Sequence, residues 1–461
     1  MKKQFFYAAM ALAVMSSCSK DNDPGIGNPE ENNDKAVIAL GLDVPTVTAS
    51  TRGTGSVGDV AGDQNTWNSQ KLYIYMVDRN TGLEAEEGAE NTKTKILDND
   101  VLEFRAPQAA SKDKGAIRIY KTYTEADDNG VIQYKYYPTN GQYTFYGYHI
   151  DDAANATPSI TATEKKVTNV TIDGTQDLLA AKTIDMAEND ASATDPESFY
   201  KDKAIELSSE WTELMKYQFG ARTARKGIVP VLKFEHQLAR LKFFVRAGSA
   251  SAAGYEWKGS QWVERKSSDN EPKTLGMQVT KITLKDMANV VDMDLTVPSS
   301  TRNGAGVADF VVCSKDAAAN NKLDPTKGLI NSVVPKYPYG DTNIPESDPD
   351  AKGTQVGEPV MFFPIDDPDN GNITLSIDLK QYVEDTKDEA TGTITYKEVE
   401  KADNKLIIDQ TKISGQTKEF KPGASYNVYI TIYGLEKIEV TAVLTAWEAG
   451  GDIEADIEDG K

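Results

Sequence analysis

Cysteine is almost absent from this sequence of 461 residues, which contains only Cys18 and Cys313. If Cys18 carries a lipid, as argued below, no second cysteine is left to pair with Cys313, and an internal disulfide is excluded. The folded chain must then be stabilised by packing alone. Cys313 lies in a strand-like run, ADFVVCSK, which favours a buried small apolar residue over a reactive thiol.

Histidine is equally scarce, with only His149 and His236. A histidine-led triad needs its three members together in space, and nothing local suggests one. His236 stands close to Phe234 and Leu238, which favours a hydrogen-bonded core histidine over a metal ligand. Paired carboxylates arise by chance among 71 acidic residues, so they do not indicate glycoside hydrolysis. We therefore predict no enzyme activity, no cofactor and no metal site.

One acidic turn leaves open whether the chain binds calcium. Residues 366–371, DDPDNG, offer oxygen ligands of the kind that calcium prefers. They lack the spacing of a known calcium loop, which favours a solvated turn.

Positive charge is in deficit, since 50 Lys and Arg face 71 Asp and Glu, and the net charge is −21. A surface of this sign repels nucleic acid, so we predict no nucleic-acid partner.

Long apolar runs are also missing. Outside the N-terminus, no uncharged stretch has the length of a membrane-spanning helix, and no sustained helical period is found.

The N-terminus has the organisation of an export signal. Lys2 and Lys3 precede an apolar run at residues 5–15, and Ser16 and Ser17 lead into Cys18. This arrangement is similar to a bacterial lipoprotein signal, which predicts a signal peptide at residues 1–17 and lipid on Cys18. An ordinary secretory signal with an incidental Cys18 is the alternative. Residues 18–35 are polar and rich in Asn, Asp, Gly and Pro, which predicts a flexible tether between a membrane anchor and the folded part.

The stretch VIALGLDVPTVTASTR, residues 37–52, follows this tether. Its apolar residues recur at every second position, which places them on one face of a β-strand: Ile38, Leu40, Leu42 and Val44. Pro45 limits how far a central strand could continue. The segment beyond it is small and polar and contains a single basic residue, Arg52. This is either the first strand of a sandwich and nothing more, or a strand that cleavage could detach.

The body of the chain is a series of short apolar runs separated by loops rich in Asp, Asn, Gly and Pro. This pattern predicts an all-β protein of two β-sandwich domains with minor short helices. The basic segment GARTARKG at residues 220–227 precedes a new series of strands, so we predict domains at residues 36–227 and 228–461. Within residues 228–245 we expect a strand, a bend at His236 and Gln237, and a second strand.

Tyrosine and phenylalanine crowd together in YKYYPTNGQYTFYGYHI, residues 134–150. The Asn140-Gly141 pair between two such runs predicts a β-hairpin. The cluster is either a platform for sugar or, as favoured, the packed wall of a sheet.

Several pieces occur in an order that resembles the fimbrillin family, the subunits of surface fimbriae in Bacteroides and Porphyromonas relatives. They are the lipoprotein signal, the alternating strand with its TR site, WNSQKLYIYMVD, YYPTNGQYTFYGYHI, QDLLAAKT, KFEHQLARLKFFV and YNVYITIYGLEKIEVTAVLTAW. The polar run after Cys18 also resembles the acidic export signal of Bacteroides surface lipoproteins. The resemblance covers nearly the whole chain.

This resemblance implies two transthyretin-like β-sandwich domains and a route of assembly. The precursor is held at the outer membrane through lipid on Cys18, a trypsin-like protease cuts after Arg52, and the strand at residues 37–44 leaves. A strand from another copy, or from a related fimbrial subunit, fills the groove. Other possible targets are Arg79, Arg105, Arg222 and Arg225, but only Arg52 lies between the first strand and the body.

The C-terminal end offers a candidate donor strand. Apolar residues alternate in two runs: Val440, Ala442 and Leu444, then Ile453, Ala455 and Ile457. In the second run acidic residues alternate on the opposite side. An apolar stripe with an acidic back suits a strand added to another sheet. A disordered acidic tail is the open alternative.

The sequence therefore favours a structural subunit of a cell-surface fimbrium that polymerises by donor-strand exchange and supports cell adhesion, in the stalk rather than at the tip. The alternative is a monomeric surface lipoprotein that binds glycans through its aromatic residues.

Overall fold

The structure is a computed structural model. It describes residues 36, 38–43, 71–88, 93–98, 100–103, 116–118, 135–183, 219–225, 230–268, 273–304, 306–314, 354–364, 371–410, 420–435 and 438–445.

Strands dominate the described residues, and helices are confined to two short pieces. In the first half of the chain the strands are β1 (Ala39–Asp43), β2 (Lys71–Asp78), β3 (Glu86–Glu87), β4 (Thr94–Lys95), β5 (Asp100–Glu103), β6 (Ala116–Arg118), β7 (Tyr143–His149), β8 (Thr157–Ile160), β9 (Lys165–Thr171) and β10 (Leu179–Thr183). In the second half they are β11 (Val231–His236), β12 (Ala239–Ala247), β13 (Tyr255–Lys258), β14 (Gln261–Glu264), β15 (Gln278–Ala288), β16 (Val290–Asp294), β17 (Ser299–Arg302), β18 (Val307–Ser314), β19 (Thr354–Phe362), β20 (Ile373–Lys387), β21 (Ile394–Ile408), β22 (Ser425–Ile432) and β23 (Ile438–Thr445). The helices are α1 (Ala221–Arg225) and α2 (Ala250–Ala253). The all-β prediction with minor helices is confirmed.

Seven strands form the largest sheet, here called the N-terminal sheet, in the order β5-β2-β7-β10-β11-β1-β6. All of its neighbours are antiparallel except β1 and β11, which run parallel. Alternation explains its two faces. In β2 the residues Leu72, Ile74 and Met76 face one core, and Tyr75 and Val77 face the other. At β2 the sheet is therefore apolar on both sides.

Three four-stranded sheets account for most of the remaining strands. The second sheet has the order β17-β16-β9-β8, the third β19-β12-β22-β23, and the fourth β18-β15-β20-β21. Their buried side chains join one face of the N-terminal sheet in a single large core. Stacked sheets around shared apolar layers are the sandwich arrangement that the sequence predicts.

Strand pairing crosses the predicted domain boundary at residue 228 in both directions. β11 lies beyond the boundary but belongs to the N-terminal sheet, between β10 and β1. β16 pairs with β9, which lies before it. The two-domain division stays a prediction. The bend expected at His236 and Gln237 is confirmed, because β11 ends at His236 and β12 begins at Ala239 in a different sheet.

The predicted hairpin at residues 134–150 is wrong. β7 does form, but it pairs with β2 and β10. Residues 135–137 instead bond to the segment that precedes β1, through Ile38 N–H to the Lys135 carbonyl at 2.9 Å and Tyr137 N–H to the Ala36 carbonyl at 2.8 Å. A turn signal is local, whereas this pairing joins residues about a hundred positions apart, which no local pattern encodes.

Candidate functional site

The first strand, β1, lies inside the N-terminal sheet. On one side Gly41 pairs with Val231 of β11, in parallel; on the other it pairs with Ala116 of β6, antiparallel. Among the described strands, β6 has no other partner in that sheet. Loss of β1 would leave a slot between β11 and β6, with unpaired backbone groups on both sides.

Side chains of the first strand fill the second core of the molecule. Ile38 and Leu40 are 0% exposed and belong to the same buried cluster as Leu232 and Phe234 of β11. The backbone of Leu42 pairs in register with Leu232. The predicted alternation is thus confirmed at Ile38 and Leu40. Val44, the fourth residue of the set, lies outside the described residues.

The segment that bonds to residues 36–38 is anchored in turn by a charged group. Lys135 donates through Nζ to the Ile96 carbonyl at 2.5 Å, while its own carbonyl accepts from Ile38. Ile96 and Leu97 are buried in the same core as Ile38. The first strand is therefore linked through Lys135 to the segment that connects β2 and β5.

An acidic pair, Glu84 and Asp98, lies in the segment that connects β2 and β5. Lys95 Nζ contacts Glu84 Oε2 at 2.6 Å and Asp98 Oδ2 at 3.1 Å. Burial, together with a hydrogen bond to Asp98, raises the pKa of Glu84 to about 7. For Asp98 burial acts in the same upward direction, but hydrogen bonds with Glu84 and Lys95 lower its pKa overall. Glu84 therefore keeps its proton in mildly acidic solution, where Asp98 is ionised.

The outer face of the sheet beside β1 carries basic positions. Asp43 is in register with Lys233 of β11, and Lys233 is in register with Lys182 of β10. On the other flank Ala39 is in register with Arg118 of β6. Residues that are in register on neighbouring strands share a face of the sheet. Leu40 faces the core, so the odd-numbered positions of β1 lie on the other face. Lys233 is therefore the described basic side chain next to β1 on this face, and Lys182 lies one strand further away, on β10.

The other predicted site residues are only partly described. Val440, Ala442 and Leu444 lie in β23, which pairs with β22 of the same chain. Val440 packs against the large core. The remaining predicted residues lie outside the described residues: Cys18, Arg52, Ile453, Ala455 and Ile457. Lipidation, cleavage and the donor role stay predictions.

His236 is a core histidine, as the sequence favours. It is 5% exposed, and its Nδ1 contacts Asp177 Oδ1 at 2.9 Å. Cys313 is also buried, at 7% exposed, which confirms the apolar interpretation.

The acidic turn at residues 366–370 is not described. Within the described part of the chain, no helix has the length and apolar character needed to cross a membrane.

The tyrosine-rich strand β7 is buried. Tyr143, Phe145, Tyr146 and Tyr148 are each at most 8% exposed, which confirms the wall of a sheet and excludes these rings as a sugar platform. Their neighbours are other rings of the core, such as Tyr73, which stacks on Tyr148 with centroids 4.8 Å apart.

The sequence interpretation missed an exposed aromatic ribbon formed by β13 and β14. Trp257 is 54% exposed, and its register partner is Trp262. Tyr255, two residues before Trp257 on β13, is partly buried and packs against the large core. The signal was present in WKGSQW, where Gly259 has φ 69° in the connection between the two tryptophans.

Comparison with known proteins gives structures but no sequence relatives. No family model matches the chain, and no curated protein matches it. A structure of a candidate cell adhesion protein from Bacteroides uniformis is 11% identical, with a TM-score of 0.40, and the match covers 91% of this chain and 99% of that chain.

Two further structures are similar over comparable lengths. The fimbrial anchor protein Mfa2 from Porphyromonas gingivalis is 11% identical, with a TM-score of 0.32 and coverage of 89% and 98%. A candidate polysaccharide-binding protein from Bacteroides thetaiotaomicron is 9% identical, with a TM-score of 0.34 and coverage of 90% and 98%. The organisms, and the fimbrial anchor among the descriptions, coincide with the family that the sequence resembles. At these TM-scores no function of this chain follows from the likeness.

Proposed function

We propose that this chain is a structural subunit of a cell-surface fimbrium that polymerises by donor-strand exchange and supports cell adhesion. The precursor is lipidated on Cys18, held at the outer membrane, and cut after Arg52 by a trypsin-like protease. The strand at residues 37–44 then leaves, and a strand of another copy or of a related subunit takes its place.

One observation carries the proposal: β1 occupies an interior position of the sheet and its side chains are part of the core. Ile38 and Leu40 are completely buried, and β1 pairs with both β11 and β6. Burying a leucine or isoleucine side chain contributes roughly 1.5–3 kcal/mol, so an empty slot is unfavourable. Strand addition by another chain restores both the backbone pairs and the apolar contacts.

The donor assigned here is the chain beyond β23. Residues 438–445 already pair with β22 of their own molecule, so Val440, Ala442 and Leu444 could serve another copy only after leaving that sheet. The alternating run at 453, 455 and 457 follows β23 by fewer than ten residues. Sixteen residues beyond position 445 can extend about 50 Å, which is ample for reaching a neighbouring molecule. A chain that carries such a tail suits a stalk more than a tip.

Limited trypsin treatment of the purified precursor tests the proposal. We expect cleavage after Arg52, identified by a new N-terminus at Gly53, followed by a ladder of oligomers on native gels. The matched control is Arg52→Gln, which should stay monomeric under the same treatment because its first strand remains tethered. A cleaved chain that has lost residues 37–44 and stays a soluble monomer would contradict the proposal.

A second candidate, a monomeric glycan-binding lipoprotein, is favoured by the exposed ribbon. The side chain of Trp257 is 54% exposed, and its register partner in β14 is Trp262. Aromatic rings in water are suited to stacking against the apolar face of a sugar. Binding of soluble polysaccharide by the uncleaved monomer, abolished in Trp257→Ala, would favour this function.

A further inference from the structure

We infer that the outer face of the third sheet binds a carboxylated sugar through a pair of stacked aromatic rings and an exposed guanidinium. The inference goes beyond the proposed function, because it does not depend on strand exchange and it gives the adhesive role a chemical class of ligand. It starts from β12 and β22, the two central strands of that sheet, which run parallel and in register from Arg240 to Ala247.

Alternation along these strands separates a buried face from an outer face. Leu241, Phe243 and Val245 of β12 are at most 1% exposed and belong to the large core. The residues between them lie on the opposite face because a strand alternates. The same holds for β22, so that the outer face carries half-buried and exposed side chains from both strands: Lys242, Phe244, Arg246, Asn427 and Tyr429.

Two rings form a platform on this outer face. Phe244 and Tyr429 are in register, and their rings stack with centroids 5.3 Å apart and 26° between the ring planes. Both side chains keep part of their surface exposed. Asn427 Nδ2 lies 3.5 Å from the Tyr429 hydroxyl, so a side-chain amide borders the platform. Such rings can pack against the CH groups of a sugar, while the polar groups at their edge bond to its hydroxyls.

A guanidinium lies beside the platform. Arg246 follows Phe244 by two residues on β12 and is exposed. Its Nε donates to Thr431 Oγ1 at 2.8 Å, which restrains the side chain. Among the described residues, no carboxylate forms an ion pair with this guanidinium. Its Nη groups can therefore bond to the two oxygens of a carboxylate, in the bidentate geometry that arginine favours.

A further ring lies beyond Arg246 on the same face. Gly248 directly follows β12, and a Cβ at this position would collide with the ring of Tyr433, so this ring lies over Gly248. Positions 244 and 248 are about 13 Å apart along an extended strand. Rings therefore lie on both sides of Arg246 along the strand, which suits an oligosaccharide more than a single sugar.

Local charge determines the class of sugar. Lys242 and Arg246 lie on either side of Phe244 along β12, whereas the acidic position Glu439 is two strands away from Arg246, in register with Thr431. The net charge of −21 repels a polyanion at low salt. At physiological ionic strength charges more than about 8 Å away are screened, so the guanidinium beside the platform decides the preference for a short carboxylated chain.

Binding of a short oligosaccharide to the full, uncleaved chain tests this inference. The probes are a trisaccharide of galacturonate and its methyl ester, which keeps the sugar rings and removes the charge. The variants are Arg246→Gln and Tyr429→Leu. The matched controls are Arg302→Gln, which makes the same charge change at an exposed arginine of β17, and Trp257→Ala on the aromatic ribbon. Thermal unfolding of each variant checks that it folds.

We expect the unchanged chain to bind the galacturonate trisaccharide about tenfold more tightly than the ester at physiological salt. Arg246→Gln should bind both sugars equally, Tyr429→Leu should bind both more weakly, and the two controls should keep the preference of the unchanged chain. Equal binding of the two sugars by the unchanged chain, or no binding of either, overturns the inference.

Loss of sugar binding in Trp257→Ala but not in Arg246→Gln would also overturn it, and would assign the binding to the aromatic ribbon. Failure of the proposed function is read separately, from the oligomers that form after cleavage at Arg52. If no oligomers form while the preference for the carboxylated sugar holds, the proposed function fails and this inference stands.

Discussion

At the scale of residues, the first strand is held by a few complete burials. Ile38 and Leu40 have no exposed surface, and the amide of Ile38 bonds to the Lys135 carbonyl. These contacts stabilise the precursor, and the same contacts become available to another chain when the strand leaves. Each substitution in this cluster should therefore affect the precursor and the exchange reaction together.

Leu40→Ala should destabilise the precursor by about 2–5 kcal/mol, because it removes buried methyl groups and leaves a cavity. Urea-induced unfolding measures the loss. The control is Leu83→Ala, at a side chain that is 49% exposed, where the change should stay within about 0.5 kcal/mol. Similar losses in the two variants would show that the first strand does not contribute to the core as described.

Glu84 should make the stability of the precursor depend on pH. Its pKa is raised from 4.5 to about 7 in the folded chain, so the folded state binds more protons than the unfolded state between these values. The contribution of Glu84 is then fully present below pH 4.5 and is lost as the pH rises through 7.

Unfolding of the precursor and of Glu84→Gln at pH 5 and pH 8 tests this dependence. The free energy of unfolding of Glu84→Gln, relative to that of the unchanged precursor, should be higher at pH 8 than at pH 5. Glu256→Gln serves as the control, since a hydrogen bond with Lys258 lowers the pKa of Glu256 and any dependence appears at lower pH with the opposite sign. An equal effect of Glu84→Gln at both pH values would contradict the assignment.

At the scale of elements, β1 and β6 depend on each other. In the part of the chain that the structure describes, β6 pairs only with β1, and residues 135–137 bond to the segment directly before β1. Removal of one strand therefore exposes backbone groups in two segments that are distant in sequence. The third sheet, which contains β22, has no pairing with any of them.

Hydrogen exchange should report this dependence. After cleavage at Arg52 and release of the strand, the amide of Tyr137 loses the Ala36 carbonyl and should exchange faster. Peptides covering Tyr426–Ile432 should exchange at the same rate as before, because β22 keeps both of its neighbours. Protection should return at Tyr137 when a donor peptide is added. Unchanged exchange at Tyr137 in a monomer that has lost residues 37–44 would show that the slot closes on its own.

Sequence alone predicts the periodic parts of this molecule and misses the distant pairings. The core-facing residues of the first strand, such as Ile38 and Leu40, can be predicted from the sequence because alternation is a local property. The bonds between Ile38 and Lys135 were not readable, since the Asn140-Gly141 turn signal pointed to a nearer partner. The pairing of Lys182 with Lys233 was hidden for the same reason, because it depends on the order of strands in the sheet.

At the scale of the whole molecule, the account requires each subunit to have one slot and one donor. A chain that can accept a strand but cannot give one should therefore stop growth. Deletion of residues 452–461 makes such a chain, because it removes the second alternating run and leaves β23 intact.

Mixing this truncated chain with the full chain before cleavage should shorten the polymers in proportion to its share of the mixture, as seen on native gels. Ile453→Asp/Ile457→Asp keeps the length of the tail and should have the same capping effect. A full-length Lys461→Ala chain is the control and should not shorten polymers. Polymers of normal length in the presence of either capping chain would exclude the tail as donor.

The most direct test of the central claim is to prevent the first strand from leaving. Gly41 and Ala116 are directly opposed across β1 and β6. Opposed residues of an antiparallel pair have Cα atoms about 4.5 or 5.5 Å apart, within the range of a disulfide. A Gly41→Cys/Ala116→Cys chain, oxidised and then cleaved after Arg52, should remain monomeric and should polymerise once reductant is added. Gly41→Cys alone should polymerise in both conditions. Equally fast polymerisation of the oxidised and reduced double variant would contradict the account, because the slot would then play no part in assembly.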